Sequence, residues 1–202
     1  MGVGDEELAT RSLAVRPRSS PGWRRLAAGG VDYVVIAAYL ALLTLVGALG
    51  RAAGLLPARI TTPQGRILAQ LAAIAVLTVP VTLWFAFWEA APRGATPGKR
   101  LLGLRVSRLD GSGLSRPVSL LRSSLKVAVP WELAHTGVWN VLAWPGPDAP
   151  LNAVLFSLAN GLLVLNVAML FLGARRPPYD RLAGTVVQRG RDARDAPSSG
   201  GS

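Results

Sequence analysis

The chain has 202 residues, with 22 Lys or Arg against 11 Asp or Glu, a formal net charge of +11, one His and no Cys. Without Cys there is no disulfide framework, Cys-ligated zinc, iron–sulfur cluster or thiol nucleophile, and a lone His excludes a zinc site built on several histidines. A mean hydropathy of +0.36 with only 16% charged residues is too apolar for a basic nucleic-acid-binding domain, so no nucleic acid partner is expected. Charged and apolar residues must instead be segregated, as in a membrane protein with basic loops.

Residues 1–22 carry Asp5, Glu6 and Glu7, then Arg11, Arg16 and Arg18, and lack the apolar core of a signal peptide. They read as a disordered cytoplasmic segment ahead of a membrane domain over 23–188. Three runs are apolar enough to cross a bilayer: 26–49, with Asp32 as its only charge, a second over 67–90 that meets only Glu89 at its end, and 151–173. Each exceeds the roughly 20 residues needed to cross a hydrocarbon core.

A further segment, 118–144, is apolar in outline but contains Arg122, Lys126, Glu132, His135 and Pro130. Spanning, lying in the interface and re-entering are all open to it, and the charge distribution favours spanning. Basic residues number five before the first span, three in the next loop, six after the second span, none in 145–150 and six after the last span. If basic loops stay cytoplasmic, both termini and the central loop lie inside, which requires an even number of crossings. Arg122 and Lys126 are then expected to snorkel to the cytoplasmic headgroups. Most tryptophans fall near span ends as interfacial anchors, and 189–202 reads as a disordered tail.

Asp32 sits about 9 Å into the hydrocarbon at 1.5 Å per residue, too deep for an unpaired carboxylate. It must be protonated or matched to a cation. Arg25 lies two turns earlier on the same face, with Gly29 between them leaving room for a helix or solvent. After the second span, Thr96-Pro-Gly-Lys-Arg-Leu-Leu-Gly departs from a nucleotide-binding P-loop, because Gly94 and Gly98 are too close and Arg100 follows Lys99. It reads as a short helix with Thr96 as N-cap, Pro97 at the first position and Gly103 as the stop. The N-terminus of that helix, beside Lys99 and Arg100, is suited to a carboxylate or lipid phosphate.

Two short β-like segments, 104–109 and 183–188, are unstable alone and are expected to pair on the cytoplasmic side, bringing Asp180 close to Lys99, Arg100 or Arg105. In the segment 118–144, Glu132 and His135, three apart on a helix, read as a hydrogen-bonded pair with a lesser proton-shuttle role for His135. A di-iron site on that spacing would need a second Glu-x-x-His that the chain lacks, so no metal or cofactor is expected.

An Arg and an Asp in the first span, Thr-Pro-Gly-Lys-Arg-Leu-Leu-Gly-Leu-Arg-Val after the second, and Tyr-Asp-Arg-Leu-Ala-Gly-Thr-Val-Val after the last together resemble the RDD family of membrane proteins. Carried over, the arginine is Arg25 and the aspartates are Asp32 and Asp180. Tyr179 stands where His is common, which removes a titratable group beside Asp180. The resemblance implies solute or sodium–proton transport for some members. The fold expected is an all-α membrane protein, a bundle of four transmembrane helices with a small cytoplasmic β-hairpin-like element, in the plasma membrane.

Two functions compete. In one, Asp32, with Glu89, Glu132 and His135, handles a cation or proton between helices, and four spans require an oligomer or a membrane-protein partner. In the other, Arg25, Asp32 and Asp180 are ion-pair locks in a non-catalytic assembly protein. Candidate acids and bases are scattered over four segments, so an enzyme is not expected. Anionic lipid headgroups are the expected partners of the cytoplasmic loops.

Overall fold

The computed structural model describes residues 19–57, 62–143 and 149–190. Most of the N-terminal segment, Trp144 and residues 191–202 of the expected disordered tail lie outside these residues, whereas Arg189, the first residue of that expected tail, is ordered as the end of a strand. Among the described residues, three helices are long and apolar enough to cross a membrane: α1 (Gly22–Ala52), α2 (Pro63–Ala90) and the stretch Pro150–Ala168 of α5 (Ala149–Ala168), with hydropathies of 2.2, 2.0 and 1.8. α4, helical over 116–143, is not among them. It carries Arg116, Arg122, Lys126 and Glu132. The remaining elements are the single turns α3 (Pro97–Leu101) and α6 (Pro178–Leu182) and the strands β1 (Leu104–Arg108) and β2 (Thr185–Arg189).

The helices face outward with Val34, Leu42, Leu45, Leu68, Leu71, Phe87, Val154, Leu158 and Val164, all exposed. In water this surface would be a severe hydrophobic liability, and in lipid it is matched to its solvent.

α2 and α4 each contain a π turn, Ile74–Thr78 and Ser124–Ala128, followed by Val79-Pro80 and Val129-Pro130. Proline has no N–H and its ring crowds the carbonyl four residues back, so the turn ahead of it widens. Val79 N–H accordingly donates to the Ile74 carbonyl, and Val129 N–H to Ser124. The Val76 carbonyl, which Pro80 cannot serve, instead accepts from the Tyr39 hydroxyl.

α4 runs antiparallel along α2. Arg66 bonds Asn140, Gln70 donates to Thr136 at 3.3 Å, Thr78 donates to Glu132, and Ser119 donates to the Ala86 carbonyl at 2.8 Å. α4 also packs on α5, where Asn140 donates to Asn152 at 3.1 Å.

The last apolar run was expected over 151–173, but the helix ends at Ala168. Gly173 and Arg175 adopt left-handed conformations, φ 53° and 51°, and turn the chain back towards the cap. The two β-like segments pair as expected, antiparallel with Val106 opposite Val187. Being far apart in sequence, they form a two-stranded sheet rather than a hairpin. Ala28 of α1 packs with Leu104, Val106, Leu114 and Val187, joining the sheet to the helices. A second cluster of Ile36, Phe85 and Val127 joins α1, α2 and α4.

Candidate functional site

Where the helices meet the cap, five elements contribute to one buried chain of charges. Arg25 of α1 pairs with Asp180 of α6; Asp180 accepts from Arg122 of α4 at 2.8 Å; Arg122 pairs with Glu89 of α2; and Glu89 accepts from Lys99 of α3 at 2.6 Å. Glu89 and Asp180 are 0% exposed and Arg122 is 1%, so water cannot screen these pairs and each ion depends on its partners. Thr185 also donates to Asp180, at 3.0 Å, and Arg25 to the Arg175 carbonyl, at 2.6 Å. Burial alone would raise the Asp180 carboxyl, but the Arg122 and Arg25 guanidiniums outweigh it and hold the group below the usual carboxylate range. Tyr179, under the Arg122 guanidinium at 5.2 Å, is pushed up to about 12 by burial and by the Asp180 charge beside it.

Asp32 stands next to this chain with a different set of donors. Its carboxylate accepts from the Thr96 hydroxyl at 2.6 Å and from Gly98 N–H at 2.8 Å. Thr96 is the N-cap of α3 and accepts from Lys99 N–H, while Pro97 opens the turn. The N-terminus of this turn, expected to suit a carboxylate, thus receives one from α1. At Gly98 a Cβ would lie 2.1 Å from the Ala28 carbonyl oxygen, so only glycine lets α3 approach α1 this closely. Each residue of Thr96-Pro97-Gly98-Lys99 therefore has an assignable part: a donor, a helix start, a close approach and a cation for Glu89.

Several sequence expectations are corrected. Asp180 meets Arg25 and Arg122, not Lys99, Arg100 or Arg105. Lys99 reaches Glu89, Arg100 lies over Trp88 at 4.3 Å, and Arg105 donates to the Gly111 carbonyl. Arg122 does not snorkel to headgroups, because two carboxylates from neighbouring elements hold it inside. Lys126 likewise turns inward, 4.2 Å from the centre of the Phe85 ring. Arg25 and Asp32 share a helix face but not an ion pair: one serves α6 and the other α3. Glu132 and His135 are linked through Gln70 rather than to each other, at 3.4 and 3.5 Å, with His135 stacked between Trp131 and Trp139.

A cavity of about 620 Å³ opens beside the charge chain, between α1, α2, α4 and α5. Its charged end carries Arg25, Asp32, Lys99, Arg122 and Lys126, and its walls are apolar, with Ile36, Leu40, Val81 and Leu163 among them. Gly29 lines it and a Cβ there would meet nothing within 4 Å, the room that its place on the Arg25–Asp32 stripe implied. Among the described residues, no group of three or more His, Asp or Glu side chains is placed to hold a metal.

Lipid-facing helices under a charge-knit polar cap define a membrane protein. The chain belongs to the RDD family, whose sequence profile matches residues 20–184. No curated protein matched the chain in the comparison. No solved structure matched it either.

Proposed function

We propose that this chain is a non-enzymatic, multi-pass transport protein of the plasma membrane. The cavity between α1, α2, α4 and α5 takes the solute, and the Arg25–Asp180–Arg122–Glu89–Lys99 chain serves as its scaffold. The observation that carries this reading is the 620 Å³ cavity itself, which falls within the usual size of small-ligand sites and combines apolar walls with a few convergent polar groups. Four crossings are part of the proposal. The antiparallel contacts from Arg66–Asn140 to Glu89–Arg122 run α4 beside α2 over nearly its whole length, and the alternation of basic loops puts both termini in the cytoplasm.

Asp32 is not the solute site in this reading. Both of its oxygens already accept hydrogen bonds, and Lys99 and Lys126 line the same space, which disfavours a cation there. A purely structural role as an assembly protein is the second reading. It is favoured by one observation, that the charge chain satisfies itself from five elements of the same chain.

The two separate without knowledge of the solute. The chain has no native Cys, so Gly29→Cys gives a single thiol in the cavity. Transport predicts that membrane-impermeant maleimide labels it from both sides of sealed vesicles, as the cavity opens alternately. Labelling from one side only, or from neither, refutes transport and leaves the structural role.

A further inference from the structure

Lys126, half-buried beside the charge chain, is the cation there whose ammonium makes no hydrogen bond among the described residues. Its nearest carboxylate oxygen, on Glu89, is 4.0 Å away. That carboxylate is already engaged by Lys99 and Arg122. By formal charge the cations Arg25, Lys99, Arg122 and Lys126 around the cavity's charged end outnumber the carboxylates Asp32, Glu89 and Asp180 by one, and Lys126 is the cation with no carboxylate of its own. A surplus charge in a low-dielectric site is stabilised by an anion brought to it.

The wall beyond the charged end bears on what that anion is attached to. Asn166 Oδ1 and Trp131 Nε1 are buried without hydrogen-bond partners, and both residues line the cavity. Both atoms are covered by the protein around them, so these residues shape the wall without offering a hydrogen bond into the cavity. The rest of the wall is mainly apolar, with Tyr33, Thr78 and Asn160 as its other polar residues, and follows α1 from Arg25 to Leu40, about 22 Å at 1.5 Å per residue. At about 30 Å³ for a water-sized group, a volume of 620 Å³ holds about twenty such groups, one acyl chain with its head rather than two.

We infer that the cavity binds a single-chain amphiphile with an anionic head, a carboxylate or phosphate, whose head meets Lys126 and whose chain lies against Ile36, Leu40, Val81 and Leu163. This rests on the cavity being the solute site and names the solute's class.

The test uses the full chain in phosphatidylcholine nanodiscs and Trp131 as reporter. A dibrominated stearic acid, a heavy-atom quencher, is titrated in parallel with its methyl ester. The acid quenches saturably, while the ester gives only the gradual quenching of a lipid-dissolved probe. Trp131→Phe removes most of the saturable part. Lys126→Gln raises the half-saturation concentration about tenfold, and Lys126→Arg restores it, which a folding defect would not do. Inorganic phosphate at millimolar concentration leaves the curve in place. Equal quenching by acid and ester, or an unchanged curve in Lys126→Gln, overturns the inference. Displacement by phosphate alone also overturns it, assigning Lys126 to a free anion. Saturable binding with one-sided labelling of Gly29→Cys keeps the ligand and removes transport. Two-sided labelling without binding removes this ligand and keeps transport.

Discussion

Replacing Asp180 by Asn keeps the shape of the side chain and removes the charge that lies between Arg25 and Arg122. At an effective dielectric near 20, each close pair is worth about 4 kcal/mol before desolvation, about 8 kcal/mol for the two. Several kcal/mol of that is recovered because a neutral amide no longer has a carboxylate's burial penalty. The net loss is about 3–5 kcal/mol, the range for removing one partner of a buried pair. Arg25 suffers most, since its remaining acceptor is the Arg175 carbonyl, whereas Arg122 keeps Glu89. By soluble-protein scaling of about 2–4 °C per kcal/mol, the unfolding midpoint in detergent or nanodiscs, followed by scanning fluorimetry, falls by roughly 10 °C. Arg25→Met in the same chain rebalances the charge and recovers about half of that loss. A single variant within about 2 °C of wild type would refute the view that these ions depend on one another.

Gly98→Ala places a methyl 2.1 Å from the Ala28 carbonyl oxygen and is expected to destabilise by about 3 kcal/mol or more. Gly29→Ala meets nothing within 4 Å and gains up to about 1 kcal/mol of helix propensity; a raised midpoint in Gly98→Ala would contradict the first expectation, and a lowered one in Gly29→Ala the second. Because the Asp180 carboxyl is held low, its contribution is present above the unfolded value of about 3.9 and is lost as pH falls through the lower folded value. Midpoints measured against pH should therefore fall below about pH 4 in wild type, and that acid limb should shrink in Asp180→Asn. Tyr179, pushed up to about 12, stabilises in its neutral form below about pH 10 and loses that contribution as pH rises from there to its folded value. Phenolate absorbance should show a late-titrating component that Tyr179→Phe reduces by one tyrosine.

Much of the frame was legible in sequence because it rests on local signals. The length of apolar runs, the Thr96 cap with Pro97 behind it, and the alternation around Val106 and Val187 all act within a few residues. The pairing of charges was not legible, because it depends on which elements the fold brings together. Arg122 and Lys126 read as snorkelling cations when taken with their own helix alone. Glu89, the one acid near the C-terminal end of the second span, was the signal that two cations on a neighbouring segment required a carboxylate. Val79-Pro80 and Val129-Pro130 marked the two widened turns in the same way, since each puts proline inside an otherwise continuous apolar helix. The glycine at position 98 read as one residue of a short helix, and only the approach of Ala28 shows why no larger residue fits.

The central claim is that the family's Arg and Asp residues are a scaffold and that the cavity is the working site. It is tested most directly by two-sided labelling of Gly29→Cys in a chain that also carries Arg25→Met and Asp180→Asn. These two changes leave the net charge of the cluster unaltered and do not touch Lys126. Retention of labelling from both sides of the membrane is expected. Loss of the two-sided pattern in a chain that remains folded and inserted would place those charges in the transport cycle and contradict the scaffold role.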